Sequence, residues 1–345
     1  MIIEGGIVLL AGILAHKNIK YKLLKNGSFK DYKVLEKPEM YKTVRKKTYN
    51  PNITEETQEI INKIYTSFET VVSNESMQII KRNIESIKVN SNWINSLNLC
   101  FRGAGGSYDL TNHTISKNYF LTKKDTIIRG KQVESKKLLQ KILSHELIHA
   151  ASAHKNKNKI NVGFNQYNIL KPNSSYIGRG INEGYTDYIS NKYIVDKNLN
   201  IKGMDAGYNY EILIAQIVEL IIGKEKMMNM FFQGDLEGLI KELSKYQDEL
   251  KVKQFILDLD TISFAKSNII SKNDSELIMT LYNRINIFLY NAFSNKADSQ
   301  INQKELDKYL EDSKKYLELF SKLDKNSLIN KKTKKEIKKW FSFLF

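Results

Sequence analysis

His145, Glu146 and His149 stand inside an apolar, helix-forming run, Ile-Leu-Ser-His-Glu-Leu-Ile-His-Ala-Ala over residues 142–151. Two histidines four residues apart on a helix share one face, one turn from each other, where both imidazoles can reach a single metal ion. A glutamate between them can hold a water beside that ion. This HExxH pattern is the spacing for two zinc ligands and a general base in metal-assisted hydrolysis. Leu138 and Ile142 extend the line of His145 and His149 along the same face, so the histidines lie where the apolar stripe points inward. Burial there is costly for an imidazole that is neither paired nor ligated.

A catalytic zinc needs three protein ligands and an open position for water. Cys100 is the only cysteine, so no thiolate cluster can be built and no intrachain disulfide can form. The remaining histidines are His16, His113 and His154. His154 follows His149 by five residues, on a different face, and is expected to be solvated. An acidic residue from a second helix is the better third ligand, and residues 178–190, Gly-Arg-Gly-Ile-Asn-Glu-Gly-Tyr-Thr-Asp-Tyr-Ile-Ser, supply it. Glu183 and Asp187 are four apart on a mostly apolar helix that includes Ile181, Tyr185, Tyr188 and Ile189. One carboxylate, expected to be Glu183, can ligate the metal. The other, one turn away, can accept the second N–H of a ligand histidine.

His145-Glu146-x-x-His149 followed by Asn182-Glu183-x-x-x-Asp187 resembles the gluzincin metallopeptidases, the clan of thermolysin-like and anthrax-lethal-factor-like enzymes. The resemblance is confined to about residues 140–190. It implies one Zn2+ per chain held by His145, His149 and Glu183, with Glu146 as the base and Asp187 behind the ligands. It also implies a zincin-like fold, with an edge strand over the cleft and a largely helical C-terminal part. The intervening stretch, residues 150–182, is longer than in thermolysin-like enzymes and nearer the lethal-factor-like spacing. No histidine follows His154, so the downstream histidine of thermolysin-like enzymes has no counterpart. The tyrosine that lethal-factor-like enzymes place seven residues before the ligand glutamate corresponds to Tyr176, whose phenol could donate to a developing oxyanion. Tyr208 and Tyr210 compete for that role.

The elements that must position these residues follow from periodicity. Residues 40–52 read as a polar connector containing Pro51. Asn52 or Thr54 can cap a helix through Ile60, Ile61, Ile64, Tyr65 and Phe68, and a second amphipathic piece follows near Met77–Ile87. From about residue 88 short β-prone runs appear at Leu97–Phe101, Tyr108–Leu110, Thr114–Ser116 and Asp125–Ile128. Gly103, Gly105 and Gly106 match no phosphate-binding fingerprint and read as a loop entering an edge strand, which could hold an extended peptide by backbone hydrogen bonds. The HExxH helix then runs from about Ser135 to Ala153. After Met204 the chain reads as successive amphipathic helices at 208–222, 236–243, 246–259, 274–293 and 303–323. This half forms either one wall of the cleft or a separate recognition module.

The expected fold is therefore α+β. Residues 1–50 form an apolar segment and connector. Residues 51–203 form a zincin-like catalytic domain, a small mixed sheet plus the HExxH helix. Residues 204–345 form a mainly α-helical C-terminal subdomain.

The net charge of +16 comes almost entirely from lysine, spread along the chain. Planar, bidentate recognition of phosphates and bases favours arginine, and no nucleic-acid motif is visible, so the charge alone does not make a nucleic-acid binder. Residues 1–15 are apolar but shorter than a bilayer span of roughly 20 residues. They read as an element docked on the body, a membrane-associating anchor or a cleaved signal. The lysine- and aromatic-rich tail from Lys331 to Phe345 either docks on the body or lies on a membrane surface. The expected location is cytoplasmic, with membrane association through residues 1–15 as the alternative. The expected partner is a peptide or protein substrate. A zinc-binding interaction module without proteolytic activity is the rival reading.

Overall fold

In the computed structural model, the described residues run from 53 to 296 with gaps at 91–95, 97–98, 100–104, 111, 119–125, 129–130, 134, 157–158, 169–176, 196–208 and 266–271; beyond them only 304, 307–308 and 311–312 are described. The N-terminal apolar segment, the lysine- and aromatic-rich tail, Tyr176 and Tyr208 lie outside the described residues.

Two helices open the described chain. Helix α1 (Glu55–Phe68) starts where Thr54 Oγ1 accepts the Thr57 N–H, and α2 (Asn74–Glu85) starts where Ser73 Oγ accepts the Ser76 N–H. Caps of this kind are worth about 1 kcal/mol each. Both helices bury an isoleucine-rich stripe: Ile60, Ile61, Ile64 and Phe68 on α1, Ile80 and Ile84 on α2.

A small mixed sheet follows. Strand β1 (Lys88–Asn90) pairs in parallel with β3 (Thr114–Lys117), and β2 (Gly106–Asp109) pairs antiparallel with β3, in the order β1-β3-β2. Val89 and Tyr108 both register against Ile115, which is fully buried. Strand β2 is therefore an edge of this sheet. Of the strand expected at Leu97–Phe101 only Leu99 is among the described residues, and it is helical and buried. A hairpin of β4 (Thr126–Ile128) and β5 (Lys131–Val133) leads to α3 (Ser135–Ala151), the HExxH helix.

Helix α3 lies at the centre, touching α1 and α2 as well as strands β2 and β3. Leu138, Leu143, Leu147, Ile148, Ala150 and Ala151 are buried along it. At roughly 1.5–3 kcal/mol for each fully buried leucine or isoleucine, this packing fixes the helix axis far more firmly than propensity does. The chain leaves α3 into an antiparallel meander, β6 (Ala153–Asn156), β7 (Lys159–Val162) and β8 (Asn165–Asn168).

Helix α4 (Arg179–Ile189) carries Glu183 and Asp187 and runs on into a π-helical turn, Ser190–Ile194. Further helices follow among the described residues: α5 (Asn209–Ile222), α6 (Lys224–Phe232), α7 (Leu236–Leu243), α8 (Glu249–Ala265) and α9 (Lys272–Asn295). Helix α4 packs chiefly on α5 and α8. Gly184 permits the close approach to α5, because a Cβ there would lie 2.2 Å from the Glu211 backbone oxygen. One hydrophobic core runs without a break from Ile60 through Leu147 and Tyr185 to Phe231 and Leu289. The architecture is α+β and mostly helical. Among the described residues, no helix is long and apolar enough to cross a membrane.

Candidate metal centre

Helices α3 and α4 bring His145, His149 and Glu183 to one point. The two imidazole Nε2 atoms are 2.9 Å apart, and each lies 3.4 Å from Glu183 Oε2. The rings meet edge to face at 4.5 Å and 85°. A tetrahedral ion with bonds of about 2.0–2.1 Å holds its ligand atoms about 3.3 Å apart. Two of the three separations stand at that spacing and the third, between the imidazoles, is a few tenths of an ångström shorter, so this group could hold a metal ion.

What surrounds the ligands fits as well. His145 Nδ1 lies 2.7 Å from Asp187 Oδ1, so the carboxylate accepts Nδ1–H and orients the ring with Nε2 toward Glu183. Thr186 Oγ1, 3.5 Å from His149 Nδ1, can accept from the second imidazole. Asn182 stands beside it, with its Nδ2 at 3.4 Å from that nitrogen and its Oδ1 accepting the Phe164 N–H at 3.1 Å. The amide so ties the ligand helix to the loop between β7 and β8.

The electrostatics is that of a cation site, with three carboxyl groups around two imidazoles. Burial pulls His145 toward its neutral form. The charge and hydrogen bond of Asp187, the hydrogen bond of Glu183 and the charge of Glu146 outweigh that and hold it well above the usual histidine range. Burial likewise works against the charged form of Glu183, but the charge of His149 and the hydrogen bonds of both imidazoles hold it well below the usual carboxylate range. Glu146 goes the other way. Burial raises it, assisted by the charge of Glu183, against the two histidines and the backbone N–H of Tyr108. Two glutamates on neighbouring helices are thus driven apart in basicity, one toward a permanent anion and one toward a group that can take up a proton.

Glu146 owes its setting to β2. A Cβ on Gly106 would fall 2.6 Å from Ile142 Cγ2 and 3.1 Å from Glu146 Cγ, so the bare backbone of this edge strand lies directly on the helix face that carries Glu146. Helix α4 is anchored from beneath. Asp260 of α8 accepts the Gly178 N–H through Oδ2 at 2.8 Å and the Gly180 N–H through Oδ1 at 2.7 Å, occupying the N-terminus of the helix that carries Glu183. On the far side of α4, Tyr185 and Tyr188 donate to Glu219 at 2.8 and 3.0 Å.

Several residues fall elsewhere than expected. Tyr210 is fully buried, its ring 4.0 Å from that of Tyr282 and its hydroxyl donating to Asn286 Oδ1 at 3.1 Å. That hydroxyl is committed to the interface of α5 and α9. His154 is not solvated: it is 4% exposed and its Nε2 donates to the Phe232 carbonyl at 2.8 Å. Sequence pattern does not single out Tyr108, Thr186 or Asp260; only Gly105-Gly106 signals a close backbone approach. No family model, no curated protein and no solved structure matches this chain.

Proposed function

We propose that this chain is a single-zinc metallopeptidase with a zincin-like catalytic unit. The observation that carries the reading is the convergence of His145 Nε2, His149 Nε2 and Glu183 Oε2 close to tetrahedral spacing, with Glu146 on the same helix and Asp187 behind His145.

A divalent ion held by His145, His149 and Glu183 supplies Lewis acidity when bound, lowering the pKa of a water and polarising a carbonyl. The chain's own residues do the rest. Glu146, raised by burial, takes a proton from the attacking water as its oxygen bonds to the scissile carbonyl carbon. It then delivers that proton to the amide nitrogen as the carbon–nitrogen bond breaks. Asp187 holds the proton on His145 Nδ1, which keeps Nε2 free as a ligand. The edge strand β2, beside Glu146, suits an extended peptide paired through its backbone. The resemblance assigns oxyanion stabilisation to Tyr176.

The test is elemental analysis of wild type and Glu183→Ala, paired with digestion of a proteome-derived peptide library and Glu146→Gln as control. One zinc per chain, lost in Glu183→Ala, with cleavage abolished in Glu146→Gln, is the expected result. Absence of zinc in protein never exposed to chelator overturns the reading. Zinc without cleavage moves it to a binding module.

A further inference from the structure

His113 is the one non-glycine with positive φ among the described residues, at 51°, and it is 7% exposed. It closes the turn between β2 and β3. A left-handed histidine held inside a protein calls for surroundings that overdetermine it. Those surroundings lead to the base.

His113 Nε2 lies 2.6 Å from the backbone carbonyl of Asn83. A carbonyl can only accept, so the proton sits on Nε2, and in the neutral ring Nδ1 is left as an acceptor. Tyr108 Oη is 2.5 Å from Nδ1 and donates to it. The two rings meet edge to face at 83°. Asn83 in turn gives both protons of its side-chain amide to the exit from α3, to the carbonyl of Ala151, its last residue, at 3.0 Å and that of Ala153, the first of β6, at 2.8 Å. At the other end, the backbone N–H of Tyr108 reaches the Glu146 carboxylate. The hydrogen bonds form a closed circuit that leaves α3 at its C-terminus, passes through Asn83, His113 and Tyr108, and returns to α3 at Glu146.

We propose that His113 is a positioning residue for the general base, clamping the Tyr108 side chain so that β2 presents its backbone N–H to Glu146. Among the described residues strand β2 is an edge strand whose ladder partner is β3, and it could slide or lift along β3. With the clamp closed, either movement breaks the Tyr108–His113 bond. The strand surface and the base then keep one fixed relation, which a peptide lying on β2 needs if its carbonyl is to meet the water that Glu146 holds. The role in turnover rests on the metallopeptidase reading; the clamp itself does not.

The experiment uses the full chain with Tyr108→Phe, His113→Asn and the double variant. Asparagine tolerates the left-handed backbone while removing the imidazole. Amide hydrogen exchange across Gly106–Asp109 is followed with and without zinc, and turnover of the best library peptide is measured at one zinc per chain. Each single variant should speed exchange at the Tyr108 amide by about tenfold or more, and the double variant should add nothing. Turnover should fall about 10- to 100-fold with zinc content unchanged. Unchanged exchange at Tyr108, or effects of the two substitutions that multiply, overturns the clamp. Should the wild type bind zinc and cleave nothing, the peptidase reading falls alone, and the exchange data still decide the clamp.

Discussion

Asp187 Oδ1 lies 2.7 Å from His145 Nδ1, so helix α4 meets the His145 ring twice: at Nε2 through Glu183, and at Nδ1 through Asp187 one turn on. A neutral amide at position 187 still accepts the Nδ1–H but no longer supports the charge that ligation places on the ring. Asp187→Asn should therefore weaken zinc binding about 10- to 100-fold without unfolding the protein. Competition against a chromogenic chelator reads this directly. Unchanged affinity would make Asp187 a surface acid that happens to touch a histidine.

Zinc should also stabilise the fold, because the unfolded chain cannot hold His145, His149 and Glu183 within ligand distance of one another. Binding to the folded state alone adds about 2.7 kcal/mol at a free zinc concentration of 100 Kd. Thermal unfolding with zinc and with chelator should differ accordingly for wild type and hardly at all for Glu183→Ala. An equal response to zinc in both proteins would place the ion elsewhere.

Gly106 of the edge strand lies against Ile142 and Glu146 with no room for a side chain. A Cβ at 2.6 Å from the branched Ile142 side chain and 3.1 Å from Glu146 Cγ forces one or both to move. Gly106→Ala should cost about 1–3 kcal/mol in stability and on the order of 100-fold in turnover, with zinc still bound. Denaturant titration and steady-state kinetics separate the two effects. Wild-type turnover in Gly106→Ala would show that β2 has no part in setting the base.

These relationships are legible in the sequence to different depths. The line Leu138-Ile142-His145-His149 and the Glu183–Asp187 pair follow from helical periodicity alone, and the helices place them as that periodicity requires. The same reasoning misjudges His154 because it extends the helix too far: the chain leaves α3 after Ala151, and His154 points from β6 to the Phe232 carbonyl. The meander at 153–168 is hidden because lysine and asparagine dilute its alternation, and buried Asn161 is satisfied by a tertiary bond from its side-chain amide to the Gly234 carbonyl. Leu97–Phe101 is β-prone in composition, yet Leu99, its one described residue, is helical and buried. The Asn83–His113–Tyr108 circuit and the Asp260 anchor join residues distant in sequence, so no local pattern carries them.

Asp260 offers a test through pH. Its carboxyl is fully buried, and burial pushes it up to about 7 from an ordinary 3.8, against the pull of the Gly180 and Gly178 N–H groups and the charge of Arg179. Across the window from about pH 4 to 7 the unfolded chain has released a proton that the folded chain keeps. Stability therefore falls as pH rises through that window, by at most about 1.4 kcal/mol for each pH unit, and levels off above it. Asp260→Asn has no proton to lose, and its amide group must face one of the two N–H donors, so the variant starts less stable. Urea midpoints measured at mildly acidic, neutral and mildly alkaline pH should show wild type well ahead in acid and the gap narrowing toward alkaline pH. A gap that widens instead would mean that the two N–H groups and the helix N-terminus keep Asp260 ionised throughout. The anchor of the Glu183 helix would then be an anion, and its removal should loosen zinc binding more at high pH than at low.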